Sequence, residues 1–125
     1  MIELPTSSVL VFSLDPAIRD VLRWATGEIV EHVHVATTWT GAATMASTYK
    51  PALAVVDVDG LAANVRDSLL KTLTARLEIP IVAVGNRAAA AEAQTLGLDT
   101  WLEKPINVGA LMGHVQRIAE RRGHS

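Results

Sequence analysis

Residues 9–16 read VLVFSLDP, and this stretch decides the fold class. It opens with an unbroken apolar run, which is typical of a strand that is covered on both faces of a parallel sheet. Asp15 and Pro16 then form a helix start, because an aspartate caps free backbone N–H groups and proline suits the first helical position. The stretch therefore predicts a β-strand that leads directly into an α-helix.

The same strand-and-helix pattern recurs along the rest of the chain. Further strands are predicted at 32–36, 53–56, 81–84 and 101–102, and helices at 16–27, 40–49, 61–77, 88–96 and 108–119. Because strands alternate with helices through short connections, we expect a doubly wound α/β fold, with a parallel sheet and helices on both faces. One domain is expected over residues 1–125, with a short N-terminal tail at 1–7 and a C-terminal tail at 121–125.

The composition excludes several classes of protein. The chain has 125 residues, half of them hydrophobic, with 13 acidic against 11 basic side chains and a net charge of −2. This balance gives no electrostatic reason to expect nucleic-acid binding. The absence of cysteine excludes disulfide scaffolds and cysteine-containing zinc sites. No segment reads as a secretory signal or a membrane span, so a cytoplasmic location without membrane contact is expected.

The turn after the first strand is equally informative. A glycine-rich loop that binds a dinucleotide would follow this strand, but the chain has Ser13, Leu14 and Asp15 there. Neither a P-loop nor a G-x-S-x-G nucleophile turn occurs elsewhere in the sequence. The sequence therefore argues against a nucleotide-cofactor enzyme, and we expect no enzymatic activity of the domain itself.

Charged residues follow two of the predicted strands, at the edge where parallel sheets place their sites. Asp57 ends the run PALAVVD (51–57), and Lys104 lies near the end of the run GLDTWLEKP (97–105). Together with VLVFSLDPAIRDVLR (9–23) and PIVAV (80–84), these runs resemble the receiver domain of bacterial response regulators over nearly the whole chain. The resemblance implies a chemotaxis-regulator-like, flavodoxin-like (βα)5 domain with a five-stranded sheet of order 2-1-3-4-5.

The resemblance also implies roles for individual residues. Asp57 falls on the aspartate that accepts the phosphoryl group, and Lys104 on the lysine that contacts this group. The Lys104–Pro105 bond falls on a peptide bond that is cis in the family, and Trp101 falls on the switch aromatic residue.

Five positions depart from the family pattern. Ser13 and Leu14 replace the acidic pair that holds Mg²⁺, and Gly85 replaces the hydroxyl residue after the fourth strand. Leu61 and Val65 stand where the family usually has Pro and Gly. Mg²⁺ takes oxygen ligands and leucine offers none, so we expect a degenerate site that is poor at metal-dependent phosphorylation. No cofactor is expected, with Mg²⁺ bound only if other residues rebuild the acidic site.

Asp15 and Asp59 are the candidates for rebuilding a metal site. We interpret Asp15 instead as a helix cap, and Asp59 with Gly60 as a turn. His32 and His34 share one face of a strand, but no third metal ligand is apparent, so exposed edge-strand histidines are the preferred interpretation.

The residues that match the family pattern, Asp57, Lys104 and Trp101, have a structural interpretation as well. Asp57 and Lys104 are interpreted as a retained ion pair rather than as a live phosphoacceptor site, given the missing acids. Trp101 is interpreted as a fixed, partly buried side chain, because the hydroxyl that would trigger its movement is absent at Gly85.

The leading hypothesis is an atypical receiver domain of two-component phosphorelay signalling that acts as a phosphorylation-independent protein-interaction module. Its partner would be a histidine kinase, an output domain or another signalling protein, and a homodimer stays open. The partner surface is expected on the helix at 88–96, the fifth strand and the last helix, at Ala89, Ala93, Trp101, Glu103, Leu111 and His114. Two alternatives remain: a functional phosphoacceptor that a histidine kinase phosphorylates on Asp57, and a flavodoxin-like binder of a small ligand at the strand ends.

Overall fold

A computed structural model describes residues 8–86 and 100–123 of the chain. In order, its elements are β1 (Ser8–Phe12), α1 (Pro16–Gly27), β2 (His32–Ala36), α2 (Trp39–Tyr49), β3 (Leu53–Asp57), α3 (Ala63–Lys71), a π-helical turn (Thr72–Arg76), β4 (Ile81–Gly85), β5 (Thr100–Glu103) and α4 (Val108–Gly123). The helix predicted at 88–96 lies outside the described residues. The alternation of strands and helices predicted from the sequence is confirmed over the rest.

The five strands form one parallel sheet in the order β2-β1-β3-β4-β5. This is the flavodoxin-like order that the resemblance implies. The register places Phe12 beside Val56, and Asp57 beside Val84. The carboxyl ends of β1, β3 and β4 therefore lie side by side, and the loops that follow them meet at one edge of the sheet.

The hydrophobic core consists of one cluster on each face of the sheet. Leu10 and Phe12 of β1 belong to one cluster, whereas Val9 and Val11 belong to the other. All four side chains are completely buried. The apolar run of β1 is continuous because successive side chains of this interior strand point into different clusters, and both clusters are covered by helices.

Side-chain caps fix the starts of three helices. Asp15 Oδ1 accepts a hydrogen bond from the Ala17 N–H at 2.9 Å, which confirms the predicted cap of α1. Asn107 Oδ1 accepts in the same way from the Ala110 N–H at 2.9 Å and caps α4. Thr38 caps α2 by the same type of bond.

Two helices differ from the prediction at their C-terminal ends. The segment predicted as one helix over 61–77 is an α-helix only from Ala63 to Lys71 and then continues as the π-helical turn. The last helix extends to Gly123, into the predicted tail at 121–125, because the two arginines at 121 and 122 are good helix formers. Within the described ranges, no helix is both long and apolar enough to cross a membrane.

Candidate functional site

Asp57 lies at the end of β3, and its side chain is only 1% exposed. Its Oδ2 accepts hydrogen bonds from Ser13 Oγ at 2.7 Å and from Lys104 Nζ at 2.9 Å. Its Oδ1 accepts from the backbone N–H of Asp59 at 3.1 Å. Burial of a carboxylate is costly unless its oxygens are hydrogen-bonded, and here both oxygens have partners.

Lys104 lies between two carboxylates. Its Nζ is 2.9 Å from Asp57 Oδ2 and 3.0 Å from Asp59 Oδ2. Partial burial alone would lower the pKa of Lys104, but the hydrogen bonds and negative charges of Asp57 and Asp59 outweigh this effect and raise the pKa above its ordinary value. The ammonium group therefore stays charged and neutralises one of the two carboxylates.

Asp59 contacts Lys104 at the strand ends, although the sequence analysis preferred a turn to a role beside Asp57. The turn with Gly60 is present, and Gly60 has the positive φ of +85° that such a turn requires. In addition, Asp59 Oδ1 accepts a hydrogen bond from the Asn86 N–H at 3.1 Å, which ties the loop after β3 to the loop after β4. The spacing of two residues from Asp57 was the available signal, but a strand-end sequence does not tell whether its turn folds back toward the site.

Ser13 and Leu14, the positions where the resemblance implies an acidic pair, have different surroundings. Ser13 is completely buried; its Oγ donates to Asp57 and accepts from the Asp15 N–H at 3.0 Å. Leu14 is 43% exposed, and its side chain lies against the loop after β3. A Cβ added to Gly60 in that loop would lie 3.2 Å from Leu14 Cδ1. Ser13 thus supplies a neutral hydroxyl to Asp57, whereas Leu14 packs an apolar side chain against the turn at Gly60.

The residues of this site do not fit Mg²⁺. The ion requires about six oxygen ligands in an octahedron, and carboxylates serve it best. Among the described residues, no group of three or more histidine, aspartate or glutamate side chains could hold a metal. Asp15 uses its carboxylate to cap α1, and Asp57 and Asp59 share the Lys104 ammonium. The cation that contacts both of these carboxylates is the Lys104 ammonium group.

Gly85, at the end of β4, makes room for the indole ring of Trp101. A Cβ added to Gly85 would lie 2.7 Å from Trp101 Cη2, closer than real carbon contacts allow. The ring packs against the core cluster that contains Ala83 and Val58, and its Nε1 is buried without a hydrogen-bond partner in the described part of the chain. Trp101 is therefore inward-facing and partly buried, and its ring occupies the space into which a side chain at position 85 would project.

The remaining sequence-predicted residues are not brought to this site. His32 is exposed at the sheet edge, and His34 stacks on Tyr49 with ring centroids 4.1 Å apart and an interplanar angle of 5°. Partial burial, and then the charge of His32, lower the pKa of His34. The interpretation of exposed edge histidines holds for His32 but is wrong for His34, because the neighbouring Tyr49 covers one face of its ring.

The prediction that Leu111 belongs to the partner surface is wrong. Leu111 is completely buried in the core cluster beneath α4, because its position lies on the apolar side of that helix, and it cannot contact a partner. Glu103 is exposed, and His114 is half-buried with its Nδ1 2.8 Å from Arg117 Nη2. Ala89 and Ala93 lie outside the described residues.

A groove of about 390 Å³ lies between α2 and the π-helical turn, away from the strand ends. It is lined by Ala43, Thr44, Ser47, Thr48, Thr72, Arg76 and Leu77. None of these residues belongs to the Asp57 site, so the groove does not support a small-ligand crevice at the strand ends.

The fold is similar to that of several solved structures, among them receiver domains. The receiver domain of Francisella response regulator 1452 matches with a TM-score of 0.75 and 23% identity, over 92% of this chain and 98% of that chain. The signal receiver domain of a putative Luxo repressor protein from Vibrio parahaemolyticus matches with a TM-score of 0.80 and 17% identity, over 94% and 93%. A sensor protein from Polaromonas sp. JS666 matches with a TM-score of 0.77 and 25% identity, over 94% and 99%.

Comparison with protein-family models finds no match, and comparison with curated proteins finds none either. The structural likenesses cover nearly the whole chain at high TM-scores, and the strand order is the same flavodoxin-like order. The chain therefore has the receiver-domain fold, with Asp57 at the end of the central strand β3.

Proposed function

We propose that this chain is an atypical receiver domain of bacterial two-component signalling that acts without phosphorylation, as a protein-interaction module. The observation that carries the proposal is the absence of carboxylates at positions 13 and 14, where a serine hydroxyl donates to Asp57 and a leucine offers no ligand. Lys104 bridges Asp57 and Asp59, while the neighbouring positions 13 and 14 hold serine and leucine. The site has the scaffold for phosphoryl chemistry and lacks the ligands that this chemistry requires.

Three features of the site weaken phosphoryl transfer to Asp57. Transfer depends on a metal that neutralises charge on the phosphoryl group, and loss of this assistance costs several kcal/mol of transition-state stabilisation. The Asp57 carboxylate is buried and holds three hydrogen bonds, so attack on a donor requires that some of them break. Gly85 offers no hydroxyl for a phosphoryl oxygen, and the Trp101 ring fills the space beside it.

The proposed partner is another signalling protein: a histidine kinase, an output domain or a further regulator. Trp101, Glu103 and His114 are the described members of the proposed surface on β5 and α4, without Leu111. In this proposal the domain has no enzymatic activity and no cofactor, binds no nucleic acid, and works in the cytoplasm. Its net charge of −2 gives no electrostatic attraction to a polyanion.

The test is a direct attempt at phosphorylation. The purified protein is mixed with Mg²⁺ and acetyl phosphate, and separately with beryllofluoride, and its intact mass and tryptophan fluorescence are recorded. We expect an unchanged mass and an unchanged spectrum. A stoichiometric phosphoryl adduct, or a saturating fluorescence response at micromolar to millimolar Mg²⁺, would show that the site works.

A functional phosphoacceptor is the second candidate. It is favoured by the direct contact between Lys104 Nζ and Asp57 Oδ2, at 2.9 Å, and by the second carboxylate of Asp59 beside them. In this case Asp57 attacks a phosphohistidine donor on a cognate kinase. Asp57→Asn should then abolish labelling, whereas equal labelling of this variant and the wild type would reject this candidate.

A further inference from the structure

β2 is an edge strand with an open side. It stands first in the sheet order and pairs with β1 along its whole length, from the Ser8–His32 pair to the Phe12–Ala36 pair. Within residues 8–86 and 100–123, no backbone hydrogen bond other than this ladder uses residues 32–36. Because alternate residues of a strand direct their N–H and C=O groups to opposite sides, about half of the strand presents unpaired groups outward.

Few of the devices that usually protect a sheet edge lie within β2 itself, although the exposed Glu31 directly precedes it. Its sequence, HVHVA, has no permanently charged side chain and no proline, and its register with β1 contains no bulge. The opposite edge strand, β5, ends in the exposed Glu103, and Pro105 follows two residues later. Charged residues and proline at an edge oppose pairing with another strand, so the two edges of this sheet differ in their tendency to pair.

From these observations we propose that a second copy of this chain pairs its own β2, antiparallel, with the open edge of β2. In an antiparallel pair centred on His34, Val33 of each copy lies opposite Val35 of the other, and such β-branched pairs stabilise a sheet. The neutral imidazoles of the two central histidines face each other without charge repulsion. A net charge of −2 on each copy opposes the association only weakly.

An aromatic pair beside the edge adds contact area. His34 stacks on Tyr49 of α2, and Tyr49 is still 54% exposed to solvent. Pairing of two short strands alone buries less area than stable dimers need, and tyrosine is among the residues that most often carry binding energy at interfaces. The stack on each copy thus extends the contact beyond the backbone hydrogen bonds.

The test is the molar mass in solution of the full chain, by sedimentation equilibrium over a range of concentrations at pH 8. We expect a concentration-dependent rise from 13.3 kDa toward twice this value. His34→Lys places two ammonium groups opposite each other in the dimer, so we expect its dissociation constant to be at least ~10-fold higher than that of the wild type. Ser68→Lys adds the same charge on the exposed side of α3 and should dimerise like the wild type.

Amide hydrogen exchange of the wild type locates the interface. It replaces the variant test if near-ultraviolet circular dichroism shows that His34→Lys does not fold. Protection of the β2 amides in the wild type should rise with protein concentration, whereas protection of the β5 amides should not. The proposal is overturned by a wild type that stays monomeric up to about 1 mM. It is also overturned by a dimer that His34→Lys leaves intact, or by protection that rises at α4 and β5 instead, which would identify a different interface.

Discussion

Lys104 is the residue on which the charge balance of the strand-end site depends. It donates to the buried Asp57 and contacts Asp59, so its removal leaves a buried carboxylate without its cation. We expect Lys104→Met to lower the free energy of unfolding by about 2–3 kcal/mol, measured by urea denaturation. Because the pKa of Lys104 is raised in the folded state, the contribution of its charge is fully present below pH 10.5 and is lost as the pH rises through the raised value.

The matched control for this change is the double variant Asp57→Asn with Lys104→Met. Asparagine removes the uncompensated charge while it keeps the shape of the side chain, so the double variant should recover most of the lost stability. A double variant as unstable as Lys104→Met, or a single variant as stable as the wild type, would contradict the role of this ion pair.

Gly85 is the second residue whose identity the site requires. A Cβ at this position would lie 2.7 Å from Trp101 Cη2, so Gly85→Ala must displace the indole ring. In a Trp24→Phe, Trp39→Phe background, Trp101 is the single tryptophan, and we expect its emission to shift to the red as the ring becomes more exposed. Overpacking of this kind should cost about 1–3 kcal/mol of stability.

Gly113 on α4 offers the control, because a Cβ there meets nothing within 4 Å. Gly113→Ala should leave the emission unchanged and should stabilise the helix by up to about 1 kcal/mol. Equal spectra for the two alanine variants would mean that the Trp101 ring does not depend on the space above Gly85.

At the scale of elements, β2 contacts α2 through the stack of the His34 and Tyr49 rings, and the His34 imidazole is titratable. Partial burial and the nearby His32 lower the pKa of His34 below its ordinary value of 6.5, so the unfolded chain binds the proton more readily than the folded one. Stability should therefore be complete above about pH 6.5 and should fall as the pH decreases through the lowered pKa. Thermal unfolding at micromolar concentration between pH 7.5 and pH 5 measures this dependence.

His34→Phe keeps an aromatic ring against Tyr49 and removes the titration. Its stability should decrease less between pH 7.5 and pH 5 than that of the wild type, because phenylalanine binds no proton. Parallel pH profiles of the two proteins would exclude His34 as a source of the dependence.

Most elements of the fold could be predicted from local signals. The buried run before Asp15, the Asp15–Pro16 helix start and the Asn107 cap each depend on residues close together in the sequence, and all three are present in the fold. The π-helical turn after Lys71 could not be predicted, because no single residue in that segment breaks the α-helical pattern. The burial of Leu111 was readable from its place on the apolar side of the last helix.

At the scale of the whole molecule, the sequence located the site but not its internal contacts. The proximity of Asp57 and Lys104 could be predicted because parallel strands bring their carboxyl ends to one edge of the sheet. The bridge to Asp59 and the inward position of Trp101 depend on turn geometry and on packing between strands far apart in sequence. Such contacts are tertiary, so residue spacing alone does not determine them.

The central claim is that serine and leucine at positions 13 and 14 disable the site by removing its metal ligands. Calorimetric titration with Mg²⁺ tests this claim on three proteins: the wild type, the double variant Ser13→Asp/Leu14→Asp, and its neutral control Ser13→Asn/Leu14→Asn. We predict no saturable binding by the wild type or the control up to millimolar Mg²⁺, and binding at least ~10-fold tighter by the Asp variant, because two added carboxylates complete the oxygen ligand set. Binding of Mg²⁺ by the wild type as tight as that of the Asp variant would contradict the account.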